Sequence, residues 1–434
     1  MAESVKRSIR VGNCSGFYGD RLSAMREMLE GGPLDVLTGD YLAELTMLIL
    51  GKDTMRDPSL GYAKTFLAQA ADCLALALEK GVRLVSNAGG LNPAGLAQAL
   101  DALGTGARIA YVDGDDVRGH LEDFPDALTA NAYLGGFGIA RALAAGADVV
   151  VTGRVTDAAV VMGPAIWWHD WDRGDHDRLA GAVVAGHVIE CGTQATGGNF
   201  AGLFDAIDAG LVEDPAQPFG FPIAEIAADG STVITKHAGT GGLVTVDTLT
   251  AQLFYEIQGS TYLNPDVTTD LTSISLRQLA RDRVEISGTR GSEPPARLKV
   301  AVNRLGGWRN QVEFVLTGLD IERKAELLRA QVEAALPDLQ RSWSTWRAPA
   351  PDSPTEEGAA VLQRLTVWSS DEAAVGRAFT GPAIELVLAS YAGFHVTAPP
   401  GKASAYGVYT PTYVDRELVH HTVHLPDGTT EVIA

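Results

Sequence analysis

The chain has 434 residues and a formal net charge of −20, from 54 acidic and 34 basic side chains. This acidity argues against nucleic acid or an anionic membrane as a general partner, because binding either requires a basic surface. Three cysteines, Cys14, Cys73 and Cys191, are too few for a disulfide framework or a structural zinc site, so we expect reduced thiols in a cytoplasmic protein. We find no signal peptide and no apolar stretch of about 20 residues, so no membrane association is expected.

Apolar, β-branched segments alternate with helical segments through the first half of the chain. Strands are predicted at residues 9–12, 35–38, 83–86, 109–112 and 149–151, and helical segments separate them. Strands that alternate with helices in this way form right-handed, parallel βαβ units. The sequence therefore predicts an α/β fold with a doubly wound parallel sheet domain over residues 1–215.

The pattern changes near Asp214, Pro215 and Pro218. Short strands are predicted at residues 233–235, 243–246, 283–287 and 297–302, followed by a strand at 312–317, a helix at 321–335, a strand at 362–368 and a helix at 382–390. This order is typical of an α+β domain. We expect a second domain of this type at residues 216–434, and we expect it to close a site on the first domain.

A strand-to-helix junction at residues 148–162 is central to the predicted site. Its sequence is DVVVTGRVTDAAVVM, a buried strand followed by a polar turn and the start of a helix. In α/β proteins, ligands bind at the carboxyl ends of the parallel strands. We therefore expect Arg154 and Asp157 to face a cleft, where Arg154 supplies positive charge and Asp157 is a candidate for proton transfer.

Gly-rich loops that follow strands are candidates for substrate binding. One has the sequence NCSGFYGD (residues 13–20) and another NAGGLNP (residues 87–93), and neither contains a nucleotide-binding motif. Backbone N–H groups and Asn amides in such loops suit a carboxylate or enolate oxygen. Alternatively, the glycines serve tight turns and the asparagine before Pro93 caps a helix. The candidate substrate-binding residues are Asn13, Ser15, Gly16, Asn87, Gly89, Gly90 and Asn92, with Gly197, Gly198 and Asn199 from a further loop.

Three more side chains are candidates for catalysis. His187 and Glu190 lie three positions apart on one helix face, where they suit a general acid/base pair or two metal ligands. An ordinary contact on the helix surface is the alternative, and no zinc-binding HExxH motif is present. Lys236 precedes another Gly-rich turn and is a candidate anchor for an anion or an acyl carbonyl, although it could equally be a solvated lysine at the end of a strand.

Acidic residues follow most of the predicted strands. Such a group of oxygen ligands suits a hard cation, so a divalent metal such as Mg²⁺ is a possible cofactor, although no metal ligand is assigned and no cofactor is certain. The alternative is that these side chains cap helices and form turns. The residues concerned are Asp20, Asp40, Glu44, Asp113, Asp115, Asp116 and Asp157.

Long strings of this sequence resemble the acyclic terpene utilisation (AtuA-like) family, formerly a domain of unknown function. They include VGNCSGFYGDR, LTGDYLAELTM, SNAGGLNP, YLGGFGIARALAAGADVVVTGRVTDAA and GHVIECGTQATGGNF, and the resemblance extends over nearly the whole chain. It implies a role in the catabolism of citronellol and geraniol, which proceeds through branched acyl-CoA intermediates. The resemblance implies no established catalytic residues. Longer relatives carry an appended ferredoxin-like domain, which we do not expect here.

The leading hypothesis is an enzyme that acts on a branched-chain, terpenoid-like carboxylic acid or its CoA thioester by hydration, dehydration or isomerisation. Lyase or isomerase chemistry is favoured because the sequence has no redox-cofactor motif, no P-loop and no nucleophile elbow. One alternative is a hydrolase that depends on a divalent metal. Another is a non-catalytic binding or scaffold subunit of a catabolic complex. The expected partner is a small-molecule substrate, and a homo-oligomer is expected.

Overall fold

The computed structural model describes residues 6–336, 338–346 and 353–433. The helices are α1 (Ala24–Gly31), α2 (Glu44–Arg56), α3 (Lys64–Lys80), α4 (Pro93–Asp101), α5 (Phe137–Ala144), α6 (Ala159–His169), α7 (His176–Glu190), α8 (Leu203–Asp208), α9 (Val246–Phe254), α10 (Ile321–Ala335), α11 (Glu356–Ala359), α12 (Glu372–Val375) and α13 (Arg377–Glu385). The strands are β1 (Ile9–Asn13), β2 (Val36–Gly39), β3 (Arg83–Ser86), β4 (Ile109–Asp113), β5 (Thr129–Ala132), β6 (Val149–Thr152), β7 (Pro222–Ile226), β8 (Thr232–Lys236), β9 (Thr261–Leu263), β10 (Thr268–Asp270), β11 (Ser275–Ala280), β12 (Arg283–Ser287), β13 (Arg290–Ser292), β14 (Arg297–Leu316), β15 (Gln340–Trp346), β16 (Val361–Ser369), β17 (His395–Val396), β18 (Ser404–Asp415), β19 (Thr422–His424) and β20 (Thr430–Val432).

The chain packs as two compact units. One contains the residues up to Asn303 together with those from Tyr409 onward, and the other is Arg304–Val408. The boundary predicted after residue 215 lies inside the first unit, between α8 and β7. The second unit has its own core, in which Phe314, Leu328 and Phe379 are among the buried side chains.

A large mixed sheet forms the centre of the first unit. Its strand order is β11-β12-β8-β7-β1-β2-β3-β6-β4-β19-β20. The five strands β1, β2, β3, β6 and β4 are parallel, and the strands on either side of them join in antiparallel pairs. The five parallel strands are the five predicted from the first half of the sequence. A mixed α/β class is therefore confirmed, whereas the doubly wound topology in particular stays a prediction.

The continuous apolar run of β6 reflects burial on both faces of the sheet. Val149 and Val151 belong to one hydrophobic cluster with residues of α1, α3 and α4, and Val150 belongs to another with residues of α5, α6 and α7. Successive side chains of a strand point to opposite faces, so a strand covered on both sides needs apolar residues at every position. This packing leaves the carboxyl ends of the parallel strands as the edge where polar loops can gather.

Several short segments differ from their predicted roles. Residues 233–235 and 283–287, predicted as strands beyond the boundary at 215, belong to β8 and β12 of the main sheet. Residues 243–246 are not a strand, because Thr245 caps α9 through a reciprocal pair of hydrogen bonds with Thr248. Residues 297–302 and 312–317 are not separate strands but lie largely within one long strand, β14. Among the described residues, no helix is both long and apolar enough to cross a membrane.

Candidate functional site

A cavity of about 390 Å³ lies in the first unit, next to the loops that follow β1, β2 and β6. Its lining combines buried acidic and basic side chains with aromatic and aliphatic ones. The lining residues are Gly16, Phe17, Asp40, Leu42, Ala43, Glu44, Tyr133, Arg154, Thr156, Asp157, His187, Glu190, Cys191, Tyr255, Glu256, Ile257, Tyr262, Leu263, Asn264, Pro265, Pro295, Arg297, Leu298, Lys299 and Tyr413. Residues from both sides of the boundary predicted after residue 215 therefore line the cavity.

A histidine and a glutamate at the end of α7 form a buried pair in the cavity wall. His187 Nδ1 lies 2.9 Å from Glu190 Oε1, and the two side chains are 2% and 5% exposed. The far atom of each group, His187 Nε2 and Glu190 Oε2, is buried and has no hydrogen-bond partner among the described residues. The ring of Tyr262 packs against that of His187 at 5.3 Å between centroids. The helical spacing thus brings the two predicted residues together.

The buried pair holds its proton more tightly than either group does in water. Burial raises the pKa of Glu190 to about 7, against the opposing effect of His187. Burial by itself lowers the pKa of His187, but the charge of Glu190, the hydrogen bond to it and the nearby backbone carbonyl of Leu253 raise that pKa overall. Both shifts favour a proton on the pair, which is the property required of a general acid/base near neutral pH.

We expect the stability of the protein to fall as the pH rises through this titration. A group whose pKa is higher in the folded state contributes stability that is complete below its unfolded pKa and is lost as the pH passes its folded pKa. The window for Glu190 runs from about 4.5 to about 7, and that for His187 begins at 6.5. Each tenfold change in proton affinity is worth about 1.4 kcal/mol.

The test is urea unfolding between pH 4.5 and 8 of the wild type and of the double variant His187→Gln, Glu190→Gln. The free energy of unfolding of the wild type should fall more steeply with pH than that of the double variant. Parallel curves for the two proteins would show that the pair does not contribute to the pH dependence.

Arg154 lies in the cavity wall and is paired with groups that also line the cavity. Its Nη1 donates to Asp157 Oδ1 at 2.7 Å and to the carbonyl of Leu42 at 3.1 Å, and its Nη2 lies 3.2 Å from the hydroxyl of Tyr133. The guanidinium also stacks over the Tyr133 ring at 4.4 Å. Tyr133 in turn donates to Glu44 at 3.2 Å. Arg154 and Asp157 therefore line the same cavity.

Asp40 adds a second buried carboxyl to the same wall. Burial raises its pKa, and the charge of Asp157 raises it further, while Arg154 and a hydrogen bond from Asn87 act in the opposite direction. Asn87 Nδ2 donates to Asp40 Oδ1 at 2.6 Å, and Asn87 Oδ1 accepts from the backbone N–H of Tyr41 at 2.8 Å. Asn87 therefore orients a cavity residue, and its own amide is already engaged within the protein.

The loop after β1 supports the His187–Glu190 helix end. Asn13 Nδ2 donates to the carbonyls of Ile189 and Glu190, at 2.6 and 3.0 Å, and Ser15 Oγ donates to the carbonyl of Phe17 at 2.9 Å. Gly16 lines the cavity, and a Cβ at this position would lie 2.6 Å from the carbonyl carbon of Cys191. Of the three candidates in this loop, only Gly16 lines the cavity.

The remaining candidates in Gly-rich loops lie outside the cavity lining. The side chain of Asn92 caps α4 by accepting from the N–H of Gly95, and Asn199 donates to Gln194. A Cβ on Gly89 would lie 2.5 Å from the carbonyl oxygen of Thr152, and Gly90 and Gly197 have positive φ angles of 54° and 105°. Gly198 packs against the backbone of Thr193. These contacts are those of turns and caps.

Lys236 is not in the cavity with the other catalytic candidates. It lines a separate pocket, where its Nζ donates to the carbonyl of Thr240 at 2.7 Å and lies 3.3 Å from Asp282. It ends β8, which is separated from β1 by β7 in the sheet. Neighbouring strands lie about 5 Å apart, so the same edge of the sheet can carry two distinct pockets.

The acidic residues that follow the strands do not gather at one point. Asp40, Glu44 and Asp157 line the cavity, whereas Asp116 pairs with Arg118 and Asp113 contacts His424. The remaining two bind backbone groups: Asp20 accepts from Gly16, and Asp115 accepts from Arg154. Within the described part of the chain, no group of three His, Cys, Asp or Glu side chains is placed to hold a metal ion.

Among the cavity residues that were not predicted from the sequence are Tyr133, Asn264 and Lys299. Two cations lie over the ring of Tyr133: the guanidinium of Arg154 is 4.4 Å and Lys299 Nζ is 4.9 Å from its centroid. Asn264 is 1% exposed, and neither polar atom of its side chain has a hydrogen-bond partner among the described residues. Lys299 lies in β14 next to Leu298, which also lines the cavity, and it belongs to no sequence motif. The only sequence signal for Asn264 is its place in the loop YLNPD, next to an aromatic residue and a proline.

Large apolar side chains at the cavity are partly open to solvent. Phe17, Tyr255, Leu263 and Tyr413 are 57%, 42%, 54% and 48% exposed and all line the cavity. By comparison, polar residues of the same cavity are almost fully buried, namely Asp40, Arg154, His187 and Glu190. An exposed apolar rim around a buried polar centre suits a ligand with an aliphatic part and a polar head.

Comparison with known proteins gives one match. The model of the family described as acyclic terpene utilisation family protein AtuA matches residues 9–425. No curated protein and no solved structure matches the chain. The matched region contains every residue described above as lining the cavity. The chain therefore belongs to the acyclic terpene utilisation family AtuA.

Proposed function

We propose that this protein is an enzyme of acyclic terpene utilisation that acts on a branched-chain carboxylic acid or its CoA thioester by hydration, dehydration or isomerisation. Family membership implies the role in terpene utilisation. The observation that carries the proposed reaction class is the buried His187–Glu190 pair, whose outer atoms Nε2 and Oε2 have no hydrogen-bond partner among the described residues. The three reactions share one step, transfer of a proton at carbon next to or conjugated with the acyl carbonyl.

In the proposed dehydration, His187 Nε2 takes the proton from the carbon next to the carbonyl. Glu190 holds the imidazole through Nδ1 and stabilises its charge once the ring is protonated. The C–H electron pair forms the double bond as the C–O bond to the hydroxyl group breaks. The pair then gives a proton to the leaving hydroxyl group, which departs as water. Asp157 is bound to Arg154 as a carboxylate and is not assigned this proton. Hydration is the reverse, and isomerisation returns the proton to a different carbon.

The cations of the cavity suit the oxygen on which negative charge develops. Arg154 is held rigidly by Asp157 and Tyr133, so it needs little rearrangement to stabilise an enolate. Lys299, whose Nζ also lies near the Tyr133 ring, adds a second positive charge at the cavity. The apolar rim provides a place for a branched aliphatic chain.

Solvent hydrogen exchange tests the proposal even when the product has not been identified. The protein is incubated in D₂O with branched 2-enoyl and 3-hydroxyacyl compounds, as free acids and as CoA thioesters, and deuterium at carbon is followed by NMR. We expect exchange next to the carbonyl for at least one compound, with loss of exchange in His187→Gln. The absence of exchange and of turnover with the whole series would contradict the proposal and favour a binding or scaffold role.

Repeating the exchange experiment after removal of divalent metals distinguishes the proposed reaction from that of a metal-dependent hydrolase. The same reactions are run after complete chelation of divalent metals, followed by removal of the chelator. Proton transfer by the His187–Glu190 pair predicts exchange that is within about twofold of the untreated protein, because no step of that mechanism is assigned to a metal. Loss of exchange that only added Mg²⁺ restores would favour the metal-dependent alternative.

A further inference from the structure

The turn at residues 264–267 is held firmly on the cavity wall. The backbone N–H of Asn264 donates to the carbonyl of Val267 at 3.0 Å, and that of Val267 donates back to Asn264 at 3.3 Å. The side chain of Asp266 accepts from the N–H of Gly136 at 2.6 Å. Arg416 donates to the carbonyls of Pro265 and Pro295. The turn is thus fixed both internally and by the segments of Gly136 and Arg416 in the same unit.

The turn is held by the hydrogen bonds described above, but the side-chain amide of Asn264 takes part in none of them. The residue is 1% exposed, and both Nδ2 and Oδ1 are buried without a hydrogen-bond partner among the described residues. A buried polar group without a partner costs free energy, and most proteins contain few of them. An asparagine is not required for the turn itself, since the two backbone bonds of the turn use no side-chain atom. The amide therefore calls for a partner beyond the described residues, and a ligand in the cavity can supply one.

Asn264 belongs to the same part of the cavity as the proposed acid/base pair. It lies two residues after Tyr262, whose ring packs against that of His187, and both residues line the cavity. The pair and the amide together leave four buried polar atoms unpaired within the described residues: His187 Nε2, Glu190 Oε2, and Asn264 Nδ2 and Oδ1. On Asn264, Nδ2 can only donate and Oδ1 can only accept.

A ligand that satisfies Asn264 must offer an acceptor and a donor close together. A 2-enoyl compound offers only its carbonyl oxygen, which can accept from Nδ2. A 3-hydroxyacyl compound offers the same carbonyl and also a hydroxyl group that can donate to Oδ1. We propose that Asn264 is a substrate-binding residue that selects a 3-hydroxyacyl ligand by holding its carbonyl and its hydroxyl. This inference rests on the proposed function and narrows it to hydration or dehydration.

Binding of a non-reacting pair of compounds tests the inference. The probes are 2,2-dimethyl-3-hydroxybutanoate and 2,2-dimethylbutanoate, as free acids and as CoA thioesters. They differ by one hydroxyl group, and neither carries a hydrogen next to the carbonyl that could be removed. By isothermal titration, we expect the wild type to bind the hydroxy compound roughly tenfold more tightly, the gain of one hydrogen bond to an otherwise unpaired buried acceptor.

Variants of Asn264 separate ligand binding from a structural role. Asn264→Leu keeps the approximate volume and removes both polar atoms, so it should abolish the preference for the hydroxy compound without lowering the midpoint of thermal unfolding. Asn264→Asp exchanges the donor for an acceptor and should weaken binding of both compounds, because a carboxylate then faces the acyl carbonyl. A preference that persists in Asn264→Leu, or that is absent from the wild type, would overturn the inference.

The two proposals can fail separately. Deuterium exchange that depends on His187, with no preference for the hydroxy compound, would leave the proposed reaction class in place and remove the role of Asn264. A preference that disappears in Asn264→Leu, without exchange or turnover for any compound, would support a site that binds hydroxy acids and would contradict the proposed enzyme.

Discussion

Replacing Arg154 with methionine is expected to lower the free energy of unfolding by about 3–5 kcal/mol, the usual cost of removing one partner from a buried ion pair. The Arg154 side chain is 3% exposed, and its guanidinium bonds to Asp157, to the carbonyl of Leu42 and to Tyr133. Methionine fills a similar volume but leaves the Asp157 carboxylate without its cation and removes the positive charge beside the buried carboxyl of Asp40. Urea unfolding of the full chain measures the difference.

Arg108 provides a matched control. It also binds one carboxylate, Asp148, through two hydrogen bonds of 3.0 and 2.8 Å, but its side chain is 56% exposed. Exposed ion pairs contribute about 0–1 kcal/mol, so Arg108→Met should have a small effect. In the double variant Arg154→Met, Asp157→Leu, part of the lost stability should return, because the uncompensated carboxylate is removed as well. Equal losses for Arg154→Met and Arg108→Met would show that burial of the pair has no energetic consequence.

The parallel core of the fold could be predicted because its signals are local. Each of the five strands is a short apolar run that ends at a polar turn, and the run Val149–Thr152 is buried at every position. The antiparallel strands that extend the sheet could not be assigned in the same way. Residues 233–235 and 283–287 look like any short strands, and their place beside β7 depends on pairing between distant segments.

The same distinction between local and long-range signals applies to the residues of the candidate site. His187 and Glu190 are separated by three positions on a helix, and Arg154 and Asp157 share one turn, so local spacing was enough to pair them. Tyr133, Asn264 and Lys299 reach the cavity from three other segments, and single residues in loops or strands carry no such spacing. Lys236 was placed in the site by its Gly-rich context, but Asp282 and Thr240 hold it in a separate pocket.

Asparagines next to glycines show why loop composition alone misleads. Asn13, Asn87 and Asn92 have the amides expected of an oxyanion site, yet each donates to groups of the protein itself. Their shared function is to hold neighbouring backbone or, for Asn87, the carboxyl of Asp40. The asparagine whose amide remains unpaired within the described residues, Asn264, stands in a Pro-containing turn without a glycine. Unsatisfied hydrogen-bonding capacity, which only the structure reveals, separates the two kinds of residue.

His187→Gln is expected to lower turnover of the best substrate by about 10²- to 10⁴-fold, the range typical of a lost general acid/base. Glutamine keeps a polar side chain beside Glu190 but cannot exchange a proton near neutral pH. Glu190→Gln should also lower turnover and should shift the pH dependence of the rate, because the pKa of about 7 at Glu190 helps to set the proton affinity of the pair.

His169→Gln is the control for this prediction. His169 ends the neighbouring helix α6 and is half-buried, and its Nε2 lies 3.0 Å from the carbonyl of Ile226, outside the cavity lining. Its replacement should change turnover by less than about twofold, since it has no part in the proposed proton transfer. If His187→Gln and His169→Gln reduced the rate equally, or if His187→Gln lost activity only through a lower unfolding temperature, the role of His187 would be structural. A rate that falls in His187→Gln and Glu190→Gln at unchanged unfolding temperature, together with a shifted pH dependence in Glu190→Gln, assigns proton transfer to the pair, because a packing defect alone would lower the rate without moving its pH dependence.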